Sequence, residues 1–419
     1  MTFLARIIAA ARGGYGWVSM AMFARAGLQA IIVILLARAL GATEYGLVIA
    51  IASVTSIFSI FMGVGATTLH LRDLSAESID SAQSYALALR RNLQTTIPLA
   101  GGALLPVYLL YGRNIGVVMA LGLILGDLFS FAMSDLLQRT MQGRRLYRGM
   151  AGYMCLVPAL RFAALVLILG QGWPMGIGKW AAIAFASGLI PLAIALFRRK
   201  RASNNTPPGM APDHRWIEGL GFAVAASSTR VHADADKAII AGFSTLDLAA
   251  QYSVAYRFFD VLMLPILSLI EWRMPSLFHS GATAKGLNAI RENRAFIVTI
   301  SATAVAMCGL SFFLVGFLPL VFGEGYRETA MMGRWLALLP VTASLWWIFR
   351  TLLSTTGDQA TGGVIELGGA AFTVLLTIGL VMWLGWFGAV IGTYATHVAM
   401  SLAAGIRMFG SSRRNARCA

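Results

Sequence analysis

The sequence predicts an all-α polytopic membrane protein, with about twelve transmembrane helices in two parallel six-helix lobes around a central cavity. Three observations predict it: an apolar composition, twelve runs of spanning length, and basic residues gathered on one side of those runs. The chain has 419 residues, of which 58% are hydrophobic and 12% charged. A soluble domain is usually about 45–50% apolar and about 25% charged. This composition excludes a soluble enzyme and a disordered tail. It also excludes a nucleic-acid binder, despite a net charge of +15, because basic excess in so apolar a chain marks loops facing anionic lipid.

A helix that crosses the bilayer needs about 20 mostly apolar residues. Such runs occur at Val18–Leu36, Tyr45–Val64, Leu93–Tyr111, Ile115–Leu136, Gly149–Leu169 and Ile177–Phe197. After a polar stretch they resume at Ile217–Phe243, Leu248–Ile270, Ala295–Phe322, Met331–Leu353, Gly363–Leu384 and Phe387–Phe409. The first residues, with Arg6 and Arg12 around a short apolar run, read as an interfacial segment rather than a cleaved signal peptide. Cys155, Cys308 and Cys418 form no disulfide framework and read as reduced.

Charge placement supports the count independently. With the N-terminus cytoplasmic, 22 of the 33 Lys and Arg residues fall in cytoplasmic segments. Only Arg38, Arg113, Lys179 and Arg327 fall on the opposite side. That asymmetry is a positive-inside signal and puts both termini in the cytoplasm. The seventh run is the weakest, because Arg230, His232, Asp234, Asp236 and Lys237 crowd its second half. If it did not cross, the basic residues after it would change sides and the asymmetry would collapse. It must cross, so its polar residues must face protein or water instead of lipid.

The two halves open alike. Leu40-Gly41-Ala42-Thr43-Glu44-Tyr45-Gly46 follows the first run, and Gly242-Phe243-Ser244-Thr245 with Ala249-Ala250-Gln251-Tyr252-Ser253 follows the seventh. Thr140-Met141-Gln142-Gly143 before the fifth run likewise resembles Thr355-Thr356-Gly357 before the eleventh. Six crossings per repeat is an even number, so the repeats are parallel and a site is expected between them. The expected organisation is an interfacial segment at 1–17, an N-lobe at 18–197, a linker at 198–216, a C-lobe at 217–409 and a basic cytoplasmic tail at 410–419.

Ala37-Arg38-Ala39-Leu40-Gly41 with Glu44-Tyr45-Gly46, then an apolar run ending in Gly63-Val64-Gly65, resembles the opening of the polysaccharide-transporter branch of the MOP exporter superfamily. Asp236-Lys237-Ala238-Ile239-Ile240 with Tyr252-Ser253-Val254-Ala255-Tyr256-Arg257 is similar to the start of that family's second lobe. These motifs are helix-packing patterns, which identify fold better than substrate. The resemblance implies a two-lobed, non-enzymatic flippase of the bacterial inner membrane. Its substrate would be an undecaprenyl-diphosphate-linked oligosaccharide, carried outward by alternating access for exopolysaccharide, O-antigen or capsule assembly. Its implied partners are that substrate, membrane lipids, and the polymerase and glycosyltransferases of the same pathway.

A charge at the centre of a span costs about 2.5–3.5 kcal/mol on insertion scales. Seven bases lie inside runs here (Arg25, Arg161, Arg230, Lys237, Arg257, Arg334 and Arg350), with the acids Asp127, Asp135, Asp234, Asp236, Asp260 and Glu366. Helical spacing pairs Arg257 with Asp260 and Arg230 with Asp234. Asp236 and Lys237, being adjacent, point to different faces and are expected not to pair. Arg25, Arg161 and Arg350 are expected to have no close acid. Arg clamps phosphate bidentately, so Arg25, Arg230, Lys237, Arg257 and Arg350 are the candidate cations for a diphosphate. Arg334, near a run end, is expected to snorkel.

Uphill transport needs an energy source. No Gly-x-x-x-x-Gly-Lys-Ser/Thr run occurs, so no cofactor is expected, and a proton or sodium gradient is expected to drive transport. The candidate coupling groups are His232, Asp234, Asp236, Asp260 and Glu366, since burial raises a carboxylate pKa into a working range. The alternative, that these acids only neutralise neighbouring arginines, stands beside it. Asp234-Ala235-Asp236 and His232-x-Asp234 imitate metal-ligand spacings but have no second cluster, so no metal is expected. His70, His214 and His279 lie in cytoplasmic segments and carry no functional signal. Two other readings remain: a drug or organic-cation antiporter, which favours a net acidic cavity, and a membrane polymerase or glycosyltransferase, which needs a large outer loop. Prolines at 98, 106, 158, 191, 265 and 340 are candidate hinges.

Overall fold

The computed structural model describes residues 14–76, 81–203, 216–281, 287–355 and 358–418, and nearly all of them are helical. The chain divides into two compact units, Met1–Ser227 and Ser228–Ala419. The expected linker at 198–216 falls mostly outside the described residues, as does most of the interfacial segment at 1–17.

Unit 1 opens with α1 (Gly14–Ser59), which is two helices meeting at Gly41, where φ is +74° and ψ 175°. That backbone region is essentially reserved for glycine, so one residue makes the connection between the first two spans. A short turn (Met62–Gly65) leads to α2 (Ala66–Ala76), followed by α3 (Ser81–Tyr111), α4 (Val117–Gly143), α5 (Tyr147–Gly170) and α6 (Ile177–Ser203). Glu44 accepts a hydrogen bond from the Ile177 backbone N–H (3.2 Å), capping α6 from the far end of the α1 connection. Packing follows the membrane rule that small residues let helices approach. A Cβ at Gly126 of α4 would lie 2.5 Å from the Ala184 carbonyl carbon of α6, and one at Gly188 of α6 would lie 2.5 Å from the Gly126 oxygen.

Unit 2 contains most of α7 (Trp216–Phe243), then α8 (Leu246–Leu262), α9 (Leu264–Gly281), α10 (Leu287–Glu292) and α11 (Arg294–Leu314). A short helix α12 (Leu318–Phe322) precedes α13 (Thr329–Trp335), α14 (Leu339–Thr355), α15 (Gln359–Leu384) and α16 (Trp386–Cys418). Thr245 caps α8, accepting from the Leu248 N–H at 3.2 Å, with Asp247 in the first turn. Tyr45 and Tyr252, which the repeat equates, are both fully buried. Cys155 and Cys308 are free thiols.

Among the described residues nine segments are long and apolar enough to cross a membrane. The bent pair Leu246–Leu262 and Leu264–Ile270, which meet at 40°, makes a tenth. Gly16–Leu71 holds two crossings once it is divided at Gly41, and α7, too polar to qualify by composition, completes the expected twelve. At 28 residues α7 is about 42 Å long. Asp234, Asp236 and Lys237 in its second half are buried in protein, which meets the demand that its charges avoid lipid. The prolines divide into two kinds. Pro98, Pro106, Pro158 and Pro191 sit inside continuous helices. Pro265 and Pro340 are each the second residue of a new helix, where proline fits without breaking hydrogen bonds.

One ion pair fastens the start of α15 to α16. Arg407 Nε donates to Asp358 Oδ2 (2.9 Å), and the Thr361 hydroxyl donates to Asp358 Oδ1 (2.6 Å). The bonds from Arg407, then that from Thr361, hold the Asp358 carboxyl below the usual carboxylate range. A depressed pKa stabilises the fold above the unfolded value of about 4 and loses that effect as pH falls through the lower folded value. Wild type is therefore expected to melt above Asp358→Asn at neutral pH. Thermal melts in detergent should show the gap closing below about pH 4.

Candidate functional site

The span charges are paired both within helices and between them. Each of the six intramembrane acids lies within 4.0 Å of a base. In unit 1, Arg161 of α5 donates through Nη2 to Asp127 (2.7 Å) and Ser130 (3.2 Å) of α4, and through Nε to Ser187 of α6 (3.0 Å). Its guanidinium also lies 6.0 Å from the Trp180 ring centroid. The expectation that Arg161 lacks an acid is corrected: its partner stands 34 residues away in sequence. Asp135 pairs with Arg139 one turn along α4 (3.0 Å).

The denser constellation is in unit 2, where α7 meets α8. Lys237 Nζ lies 3.2 Å from Asp236 Oδ1 and 3.8 Å from the Tyr256 ring centroid. The Tyr252 hydroxyl donates to Asp236 Oδ2 at 2.8 Å. Asp236 and Lys237 are each 1% exposed. The expectation that these neighbours do not pair is therefore also corrected. Adjacent helical positions diverge by about 100°, but a four-carbon lysine stem is long and flexible enough to curl back, and the buried tyrosine ring turns it inward. Arg257 of α8 pairs with Asp260 at 3.2 Å, as the spacing predicts, and lies 4.0 Å from Asp234. The Arg230 side chain, expected beside Asp234, lies outside the described residues.

A second group joins α7, α14, α15 and α16. Arg350 Nε lies 3.1 Å from Glu366 Oε1, which corrects the reading that Arg350 has no acid. His232 Nε2 is 3.2 Å from the Glu366 carbonyl oxygen, and Nδ1 is 3.0 Å from Thr373 Oγ1. With Nε2 protonated, the ring donates to that carbonyl and accepts from the threonine. Thr373 lies in turn 3.0 Å from Thr396 of α16. Arg257 and Arg350 keep 49% and 42% of their side chains exposed, while their partners Asp234 and Glu366 are buried. Arg25 is half-buried on α1, and Arg334 is exposed at the end of α13.

Sequence reasoning passed over His70. It is 1% exposed, with Nδ1 3.1 Å from Ser84 Oγ of α3 and Nε2 3.2 Å from Thr140 Oγ1 of α4. The Ser84 hydroxyl donates to Asp73 at 2.6 Å. The network clasps α2, α3 and α4, so His70 carries a structural role. The three-residue spacing of His70 and Asp73 was the available signal.

A family model described as "Polysaccharide biosynthesis protein" matches residues 12–271. No curated protein sequence matches significantly. Among solved structures, the chain is similar to an inward-facing multidrug resistance MATE family transporter of the MOP superfamily, with a TM-score of 0.71 and 14% identity over 96% of this chain and 99% of that one. It is also similar to a MATE protein in complex with MaD5 (TM-score 0.62, 14% identity, 95% and 96% covered). The outward-facing form of a multidrug resistance MATE transporter gives a TM-score of 0.58 at 13% identity, with 96% of each chain covered. At such identities the likeness establishes the fold alone.

Because Lys237 and Asp236 are both enclosed, removing the carboxylate breaks a buried ion pair. Asp236→Ala is expected to cost about 3–5 kcal/mol, read as a fall in melting temperature. Replacing both partners with apolar residues (Asp236→Leu with Lys237→Met) should recover most of that loss. A double variant as unstable as the single one would show that the pair is not the cause.

Proposed function

The chain belongs to the polysaccharide biosynthesis protein family, and from that premise we propose that it is a flippase for an undecaprenyl-diphosphate-linked oligosaccharide. The fold is that of a MOP-type transporter with many membrane spans. The finer reading adds the substrate, the direction and the bacterial inner membrane, with both termini cytoplasmic. It also adds a place beside the glycosyltransferases and polymerase that make and extend the repeat unit.

The observation that carries this reading is the exposure of Arg257 and Arg350 within spans, each beside a buried carboxylate. A guanidinium offers a planar fork of donors matched to phosphate oxygens. Held against Asp234, Asp260 or Glu366, it is neutral as a pair and tolerable in the membrane. When a proton reaches the carboxylate, the guanidinium loses its partner and a diphosphate becomes the competing acceptor. The proton and the diphosphate would thereby be bound together and released together, a linkage through which a gradient acts on transport. Sodium would act in the proton's place by occupying the carboxylate oxygens. His232, hydrogen-bonded to the Glu366 backbone, positions the α15 side of this pair. Lys237 and Asp236, being enclosed, act on the site by fixing α7 against α8. Arg25 and Arg230 remain candidate contacts to the diphosphate.

A drug or organic-cation antiporter is the second reading. It is favoured by the described activity of the multidrug resistance relatives in fold, though one fold hosts many functions. Depletion in a polysaccharide-producing host separates the two readings. The flippase reading predicts lipid-linked repeat units accumulating on the cytoplasmic leaflet, with dye efflux unchanged. Arg350→Gln should lower polysaccharide export roughly tenfold while the protein still inserts, since a hydrogen bond to a charged group is worth about 1.5–3 kcal/mol. Normal export without accumulation would overturn it, and lost dye efflux would favour the antiporter.

A further inference from the structure

Between α5 and α6, with the Arg161–Asp127 pair behind its floor, lies an apolar groove with a cationic mouth. We infer that it is a binding site for an anionic phospholipid, with one acyl chain in the groove and the headgroup on Lys179. The inference rests on unit 1 alone and is independent of the proposed substrate.

The groove has a volume of about 440 Å³. A methylene group takes roughly the ~30 Å³ of a liquid water molecule, so the space suits a single chain of about 15 carbons. Leu160, Ala164 and Ile168 line one wall at four-residue spacing, so they share one face of α5. Ala182, Ala186 and Ile190 line the other wall. Alanine at these wall positions opens a channel that larger side chains would fill. The one polar group on the floor is already engaged: the Ser187 hydroxyl accepts from Arg161 and donates to the Ala184 carbonyl at 2.9 Å. The depth of the groove therefore asks for hydrocarbon and offers a polar ligand nothing.

The mouth is different. Trp173 and Lys179 belong to the same lining, and the Lys179 ammonium lies 5.8 Å from the Trp173 ring centroid. Lys179 also donates to the Pro174 carbonyl at 2.7 Å, which fixes the ammonium over the groove entrance. An ammonium has three donors, so a phosphate oxygen can take another without disturbing that bond. Tryptophan with lysine at a span end marks headgroup depth. Lys179 is one of only four basic residues that the sequence places on the outer side, so this positive charge is local and not part of a general basic surface. Charge complementarity thus selects an anionic headgroup, and the apolar lining of the groove selects a chain.

The test is lipid retention by the full-length protein purified in detergent, read by native mass spectrometry after addition of phosphatidylglycerol or phosphatidylcholine with identical chains. Wild type should retain phosphatidylglycerol several-fold over phosphatidylcholine. Lys179→Glu should bring the two close to equal, whereas Arg113→Glu, at another exposed base on the same side, should leave the preference intact. Ala186→Phe, which fills the groove, should lower retention of both lipids. If Ala186→Phe fails to give folded protein by gel filtration, the two charge variants decide the matter. Equal retention by wild type overturns the inference, as does an undiminished preference in Lys179→Glu or an equal loss in Arg113→Glu. Displacement of phosphatidylglycerol by a polyprenyl phosphate would assign the groove to a different lipid and also overturn it.

Discussion

A charge inside a bilayer must be neutralised, and that constraint organises this protein. All six acids within its spans stand beside bases, and three of these pairs, Arg161–Asp127, Arg257–Asp234 and Arg350–Glu366, also link one helix to another. Arg161 binds α4 and α6 to α5 through Asp127 and Ser187. Lys237, Asp236, Tyr252 and Tyr256 form one buried unit that fixes α7 against α8. Lipid tails are as apolar as leucine, so hydrophobicity gives membrane helices little reason to prefer one another. Paired charges and close glycine contacts such as Gly126 with Gly188 supply that preference here.

The pairs are of two kinds. Asp236 with Lys237 is sealed, which suits a structural fastening: breaking it is costly and opening it gains nothing. Arg257 and Arg350 keep nearly half of their surface exposed while Asp234 and Glu366 stay buried, and Asp260, the nearer partner of Arg257, is itself 40% exposed. An exposed cation bound to a buried acid can exchange its partner for an arriving anion, whereas the acid cannot leave. That asymmetry separates a pair able to take part in transport from one that only holds the fold. With seven bases against six acids within the runs, the charge offered to a substrate depends on whether the acids are protonated.

Much of the architecture was legible from sequence because hydropathy is local. Twelve apolar runs give the helices, and Asp234, Asp236 and Lys237 in the second half of α7 face protein, as the cost of charge in lipid requires. The Arg257–Asp260 pair was legible because its partners sit one turn apart on one helix. Arg161–Asp127 and Arg350–Glu366 were not, since helical periodicity says nothing about which face of another helix arrives opposite. Asp236–Lys237 was misread for another reason: divergence of Cβ directions does not bound the reach of a long side chain. His70 falls in a segment that hydropathy places outside the spans, and only the fold shows that α3 and α4 close over it.

The most direct measurement is flipping in proteoliposomes. The full chain would be reconstituted with a diphosphate-linked oligosaccharide, and the sugar exposed on the opposite leaflet followed with and without an imposed pH gradient. Exchange of guanidinium partners predicts that acid on the side from which the lipid departs accelerates flipping by wild type, and that Glu366→Gln, which can no longer take up a proton, loses the acceleration. A Glu366→Gln variant that responds to the gradient as wild type does would contradict the exchange of partners as the coupling step.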